Sequence, residues 1–281
     1  MRTVMKAIYI EKCAATFLRE GEGYRFAEPD YKQTIPNASE RRRMSRIVKM
    51  GTSVGLACTS PQTEAILTAT GLGCMADTEK FMQQMFERND LPLSPTPFIH
   101  STFNTIGAQI AMLTGNHGYN NTYVHRALSF ESALTDAALM LEECPSRHIL
   151  VGAINELTPS VNTILHRFRA DREFPIGEGA AFFRLTGEAD DAEACITDME
   201  SGEGRLNEAY IDDFLRKNNA PNAQRIFPSD YKKFCGEYAT AISFALWMTL
   251  QELPSESPIL IANESWGSHS MLLLRDNSAK R

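Results

Sequence analysis

Residues 148–154, HILVGAI, constrain this chain more than any other stretch. An apolar run with no polar interruption suits a strand covered on both faces, and such strands occur in sheets sandwiched between helices. The preceding residues, 129–143, place Phe130, Leu134, Ala137, Ala138 and Leu141 on one side of a helix. Glu131, Thr135 and Glu142 are expected to point away from that side. Further strands are expected at 5–10, 66–70, 121–125, 180–185, 258–262 and 271–274. Helices are expected at 40–58, 76–89 and 101–113, and an amphipathic one at 240–253. Residues 20–38, rich in glycine, proline and polar side chains, read as an excursion. Strands alternating with helices predict an α/β fold with covered sheets. No internal repeat is evident.

A chain of 281 residues, 43 % apolar and 22 % charged, can bury a sizeable core. The net charge of −7 and a pI near 5.5 argue against nucleic acid, whose phosphates need a basic surface. Small molecules and proteins remain as partners. No apolar run approaches the roughly 20 residues of a membrane span. The opening MRTVMKAIYIEKCAATFL lacks the apolar core of a signal peptide, so a cytoplasmic location is expected. The six cysteines form no CxxC pair and read as reduced, mostly buried thiols, neither disulfide framework nor zinc site. His100, His117, His148 and His166 show no metal-ligand spacing. Neither metal nor cofactor is expected.

Five segments, in order, resemble the β-ketoacyl synthase family. They are RRMSRIVKMG (42–51), TATGLGCMADTEKF (68–81), STFNTIGAQIAMLTGNHGYNNTYV (101–124), VGAINELTP (151–159) and PIGEGAAFFRL (175–185). The nearest shape within the family is the ketosynthase-like, chain-length-factor subunit of aryl polyene and flexirubin pigment clusters. The resemblance implies a thiolase-like fold, layered α-β-α-β-α. Its N-terminal half would span 1–187 and a truncated C-terminal half 188–281, packed as one globular unit.

It also implies a catalytic centre, against which the residues can be compared. The family condenses acyl chains with a cysteine at a helix N-terminus, where backbone N–H groups and the macrodipole favour thiolate. Here that alignment puts Leu128, which has no nucleophilic atom, in the cysteine's place. Ser129, next along, could attack only with a base beside it, for which His125 is the candidate; the preferred reading is that it caps the helix, as serine does routinely. YKKFCGEYATAISFALW (231–247) is similar to the family's Lys-x-x-x-Gly-His helix entrance. Lys232 and Gly236 match, but Glu237 stands where the histidine should stabilise an oxyanion, and a carboxylate opposes that role. The His-Gly-Thr-Gly-Thr loop is absent. ANESWGSHSMLLLR (262–275) resembles the family's last turn and strand, with Trp266 at the phenylalanine that gates the acyl pocket and Gly267, Ser268 and His269 as the turn. His269 is a weak catalytic candidate; Trp266, Gly267 and Phe130 are expected at the acyl pocket.

The expected function is therefore a non-catalytic subunit pairing with an active ketosynthase and serving an acyl carrier protein. Alternatives are an acyl-thioester transferase or hydrolase using Ser129, or an acyl-carrier or acyl-CoA binding homodimer. Residues 121–125 and 101–113 are expected at the pseudo-twofold interface. Arg41, Arg42, Arg43, Arg46 and Lys49 form a basic cluster that would steer an acidic carrier protein, or else a solvated helix face.

Overall fold

The structure, a computed structural model, describes residues 5–87, 92–168, 173–190 and 192–277. The first half runs β1 (Ile8–Ala15), β2 (Phe17–Glu20), β3 (Gly23–Phe26), α1 (Tyr31–Thr34), α2 (Ala38–Arg43), α3 (Arg46–Cys58), β4 (Thr63–Ala69), α4 (Met75–Glu87), α5 (Pro95–His100), α6 (Thr105–Thr114), β5 (Tyr119–Tyr123), α7 (Ser129–Glu143), β6 (His148–Asn155), α8 (Pro159–Arg167) and β7 (Gly179–Thr186). The second half runs β8 (Ala194–Glu203), α9 (Glu208–Lys217), β9 (Gln224–Ile226), α10 (Pro228–Cys235), α11 (Ala241–Leu250), β10 (Ile259–Ser265) and β11 (Ser268–Asp276).

Among the described residues nine strands form one mixed sheet, in the order β5-β4-β6-β7-β1-β8-β11-β10-β9. β1 and β8 meet antiparallel at its middle, with Tyr9 opposite Cys195. Outward from that seam the two halves repeat one another. β7, β6 and β4 on one side correspond to β11, β10 and β9 on the other. Only the first half adds a further strand, β5, so the second half is the shorter.

Three apolar clusters define the helical layers. One, with Ile47, Val54, Ile106 and Ile110, lies under α3 and α6 against β4, β6 and β7. A second, with Phe214, Leu215, Leu260 and Met271, lies under α9. The largest sits between the halves and holds α7 and α11 against strands of both. Helix, strand, helix, strand, helix is the resulting order of layers. The strand at 148–155 is buried along almost its whole length, as an uninterrupted apolar run requires.

Several expectations need correcting. The helix at 240–253 is not amphipathic, since every residue of α11 is buried; as part of the middle layer it has no solvent face. The helix at 40–58 is broken between α2 and α3, where Met44 and Ser45 are extended. The excursion at 20–38 contains β3 and α1, its hairpin anchored by Phe17 and Tyr24 packing on Phe244 and Trp247. α5, β8, α9 and α10 carry too short or too polar a pattern to have been read.

Candidate functional site

β5 leads through a 3-10 turn, Arg126–Leu128, into α7, and the turn packs on β11. Arg126 has φ +51°, a left-handed conformation rarely taken by residues with side chains. Ala127 is buried and Leu128 half-buried, so none of the three turn residues offers a thiol at the helix tip.

Ser129 is fully buried and its hydroxyl is committed. It accepts from the His125 backbone N–H at 2.8 Å and lies 2.9 Å from Thr70 O and 2.7 Å from Arg126 O, to which it donates. The His125 imidazole is exposed and turned to Ser132, with Nδ1 3.1 Å from its Oγ. The nucleophile–base pair required for a Ser129 mechanism is therefore not assembled. Ser129 ties the start of α7 to the end of β4.

A second group of polar residues, around Lys232 and Glu237, is largely buried. Gly236 (φ +77°) crosses Gly177 so closely that a Cβ on Gly236 would stand 2.7 Å from Gly177 Cα. The crossing is pinned by Gly177 N–H donating to Glu237 O at 3.0 Å and Glu237 N–H donating to Pro175 O at 2.7 Å. Glu237 is thereby aimed inward. Lys232 Nζ, with no solvent exposure, donates to Glu237 Oε2 and to Glu264 O, both at 2.6 Å. Ser265 Oγ donates to the other carboxylate oxygen at 2.7 Å. A carboxylate so occupied is neither a free base nor an oxyanion stabiliser.

Beside this pair lies Glu131, which sequence reasoning turned toward solvent. It is 2 % exposed. Ser270 Oγ donates to its Oε1 at 2.5 Å, while Oε2 has no partner among the described residues. Burial is the main cause of a pKa raised to about 7, opposed by the hydrogen bond from Ser270 and by the charge of Lys232. Asn263 Oδ1 accepts from buried Tyr231 at 2.7 Å. Glu131 lies one residue past the apolar Phe130 on α7, and residues of the second half, Ser270 of β11 among them, lie against it. No pattern within α7 could have shown this.

β10 and β11 are joined by a two-residue loop, Trp266 (φ +48°) and Gly267 (φ +83°), the positive pair of a type I′ hairpin. The turn is thus Trp266–Gly267, with Ser268 and His269 already in β11. Trp266 is partly exposed and lines a cleft of about 230 Å³ with Phe174, Arg205, Glu237 and Glu264. Phe130 is not at this cleft; it is a core residue packed against Phe183 at 5.7 Å between ring centres. His269 also lies elsewhere. Strand side chains alternate, so with Ser270 turned to Glu131, His269 faces the opposite side, edge-on to Tyr210 of α9, its Nδ1 3.1 Å from Gly204 O.

The cysteines do not compensate. Burial pushes the thiols of Cys13, Cys58, Cys74 and Cys235 above their ordinary pKa, the opposite of an activated nucleophile. No group of side chains among the described residues is arranged to hold a metal. Of the basic cluster, Arg46 is bound bidentately to Glu178 at 2.7 Å and also pairs with Glu28. Arg41 Nη1 donates to Ile35 O at 2.5 Å, and Arg42 Nε to Ala38 O at 3.1 Å.

These layers and this hairpin are those of a thiolase-like, ketosynthase-type protein. Residues 26–193 match the family described as "Beta-ketoacyl synthase, N-terminal domain", more than half of the chain, and the chain belongs to that family. Among solved structures it is similar to the ishigamide ketosynthase/chain length factor, at 14 % identity and a TM-score of 0.75 over 96 % of this chain and 99 % of that one. It is also similar to a ketosynthase (ApeO) in complex with its chain length factor (ApeC) from Xenorhabdus doucetiae, at 14 % identity and a TM-score of 0.59 over 95 % and 98 %. A β-ketoacyl synthase from Burkholderia phymatum gives 12 % and 0.68 over 97 % and 100 %. No curated protein matches the sequence. No helix among the described residues is long and apolar enough to cross a membrane.

Proposed function

We propose that this chain is a non-catalytic, chain-length-factor-like subunit of a type II fatty acid or polyketide pathway of the aryl polyene type, acting in the cytoplasm beside an active ketosynthase. The observation that carries the reading is the internally bonded Lys232–Glu237–Ser265 group, at the position that the resemblance gives to an imidazole, together with a helix tip without a thiol.

The pairing surface is the free edge of β5 with its flanks. That edge offers unpaired backbone groups to a second sheet. Phe103, Met112, Tyr119 and Val124 stand exposed around it, within or next to the 101–113 and 121–125 segments expected at the interface. Trp266 would face the growing chain at the cleft mouth. The acyl carrier protein would meet the basic residues that are not internally bound.

Co-expression with a complete ketosynthase is the test. A stoichiometric complex that extends acyl chains, in which this chain takes up no acyl group by intact mass, is the expected outcome. An acyl adduct on this chain that disappears in Ser129→Ala would establish an acyltransferase or hydrolase instead. A lone homodimer that ignores the synthase and binds acyl carrier protein would establish the carrier-binding alternative.

A further inference from the structure

Away from the ion-pair site, α2, α5 and α6 border an open cleft of about 530 Å³. That is within the ~300–1,000 Å³ range of small-molecule sites. Its apolar wall comes from Met44, Ile99 and Met112. Its polar groups are less ordinary. His100 lines it while only 7 % exposed, and its Nδ1 has no hydrogen-bond partner among the described residues. A buried polar atom left unmatched is uncommon, because the chain has paid its desolvation with nothing in return. Arg43 lines the same cleft and, unlike Arg41, Arg42 and Arg46, makes no hydrogen bond or ion pair among the described residues. Gln109 supplies an amide.

We infer that this cleft binds an amphiphilic monoanion, a medium-chain carboxylate, with its head on Arg43 and His100 and its tail along Met44, Ile99 and Met112. The guanidinium fork matches a carboxylate's two oxygens, and an imidazole carries at least one N–H to share with it. Glu40 lies on the same wall and opposes multiply charged heads such as phosphates, so a single negative charge is the fit. Hydrocarbon contacts account for the rest of the affinity. The site shares Gln109 and Met112 with the 101–113 segment used in the pairing reading, so it is tested on the lone chain, where its failure leaves that reading untouched.

The test is calorimetric titration of the purified full-length chain with octanoate, hexanoate and 1-octanol, with histidine side-chain NMR as a second readout. Octanoate should bind saturably at one site and move the His100 ring signal, identified by its loss in His100→Leu. Removing two methylenes should weaken binding on the order of tenfold. Arg43→Gln and His100→Leu should each weaken octanoate by about tenfold or more, as expected for removing a hydrogen bond to a charged head. His100→Leu should fold with an unchanged or raised thermal midpoint, since it removes an unmatched polar group, and Arg43→Gln covers the case in which it does not fold. No saturable binding below the micelle-forming concentration, octanol binding as tightly as octanoate, or binding unmoved by Arg43→Gln would each overturn the assignment.

Discussion

Lys232 Nζ lies 2.6 Å from Glu237 Oε2, and the lysine side chain has no exposure at all. Charges removed this far from water need one another. Lys232→Met leaves the Glu237 carboxylate buried without its cation, and breaking such a pair from one side costs about 3–5 kcal/mol. The double variant Lys232→Met, Glu237→Gln should recover most of that loss, because neither charge remains. Urea denaturation of the two single variants and the double variant measures it; a double variant no more stable than the worse single one would show that the pair is not the cause.

Glu131 sets an unusual pH dependence. Its pKa is raised from 4.5 to about 7 in the folded chain, so between those values the folded state holds a proton that the unfolded state has lost. Stability therefore falls as pH rises through this window and is flat on either side of it. A displacement of this size corresponds to on the order of 3 kcal/mol. Glu156, also raised to about 7, mainly by burial, adds a change of the same sign. Glu131→Gln keeps an acceptor for Ser270 and removes the charge. It should match wild type near pH 4.5, exceed it above pH 7, and flatten the slope between. Chemical denaturation across this pH range decides, and an unchanged slope in Glu131→Gln would refute the account.

Returning a thiol to the helix tip should not return activity. Leu128→Cys supplies sulfur, but the Lys232–Glu237–Ser265 group contains no imidazole to stabilise an enolate or oxyanion. Purified Leu128→Cys is expected to show no condensation of acyl and malonyl thioesters above the wild-type background. The double variant Leu128→Cys, Glu237→His should stay inactive as well, and should lose stability because Lys232 then lacks its counter-charge. Condensation by either variant, measured by product mass, would contradict the structural reading of the site.

The outer features of the fold could be read along the chain, while the site could be read only in part. The 148–155 strand and the helix before it declared themselves because each buries a local, periodic pattern. The duplication did not, because corresponding strands such as β6 and β10 share a place in the sheet and a need for apolar residues, with no residue in particular required. α11 looked amphipathic through the spacing of its largest residues, yet its small ones are buried too. In the site, the resemblance alone set Leu128 and Glu237 against the family's cysteine and histidine. The ion pair needed Lys232, Glu237 and Ser265 brought together by α10, the Gly177–Gly236 crossing and β10, and the burial of Glu131 needed Ser270 from a strand 139 residues away.

The Trp266 backbone offers a test separating turn strain from side-chain function. A tryptophan at φ +48° in a type I′ turn is held where asparagine and glycine are at ease. Relieving such a conformation is worth about 1–3 kcal/mol. Trp266→Asn should therefore raise the thermal midpoint of the isolated chain. If the indole shapes the acyl path of a paired synthase, the same variant should alter product chain length in the reconstituted complex. A more stable chain with unaltered products would mark the indole as a strained surface residue with no part in chain-length control.

The β5 edge leads to the last expected outcome. Met112 on α6 is 65 % exposed, and Val124 just beyond β5 is 41 % exposed. Neither belongs to an apolar cluster of the chain itself. Replacing either with glutamate should leave the isolated chain's stability within about 0.5 kcal/mol of wild type, as for surface substitutions generally. Burying the same charge without a partner in an apolar interface costs several kcal/mol, enough to reduce association by a hundredfold or more. Met112→Glu and Val124→Glu should therefore abolish copurification with a ketosynthase while thermal unfolding of the lone chain is unmoved. Lys233→Glu on α10, far along the chain from the β5 edge, serves as the control that should still copurify. Retention of the complex by both glutamate variants would place the interface elsewhere.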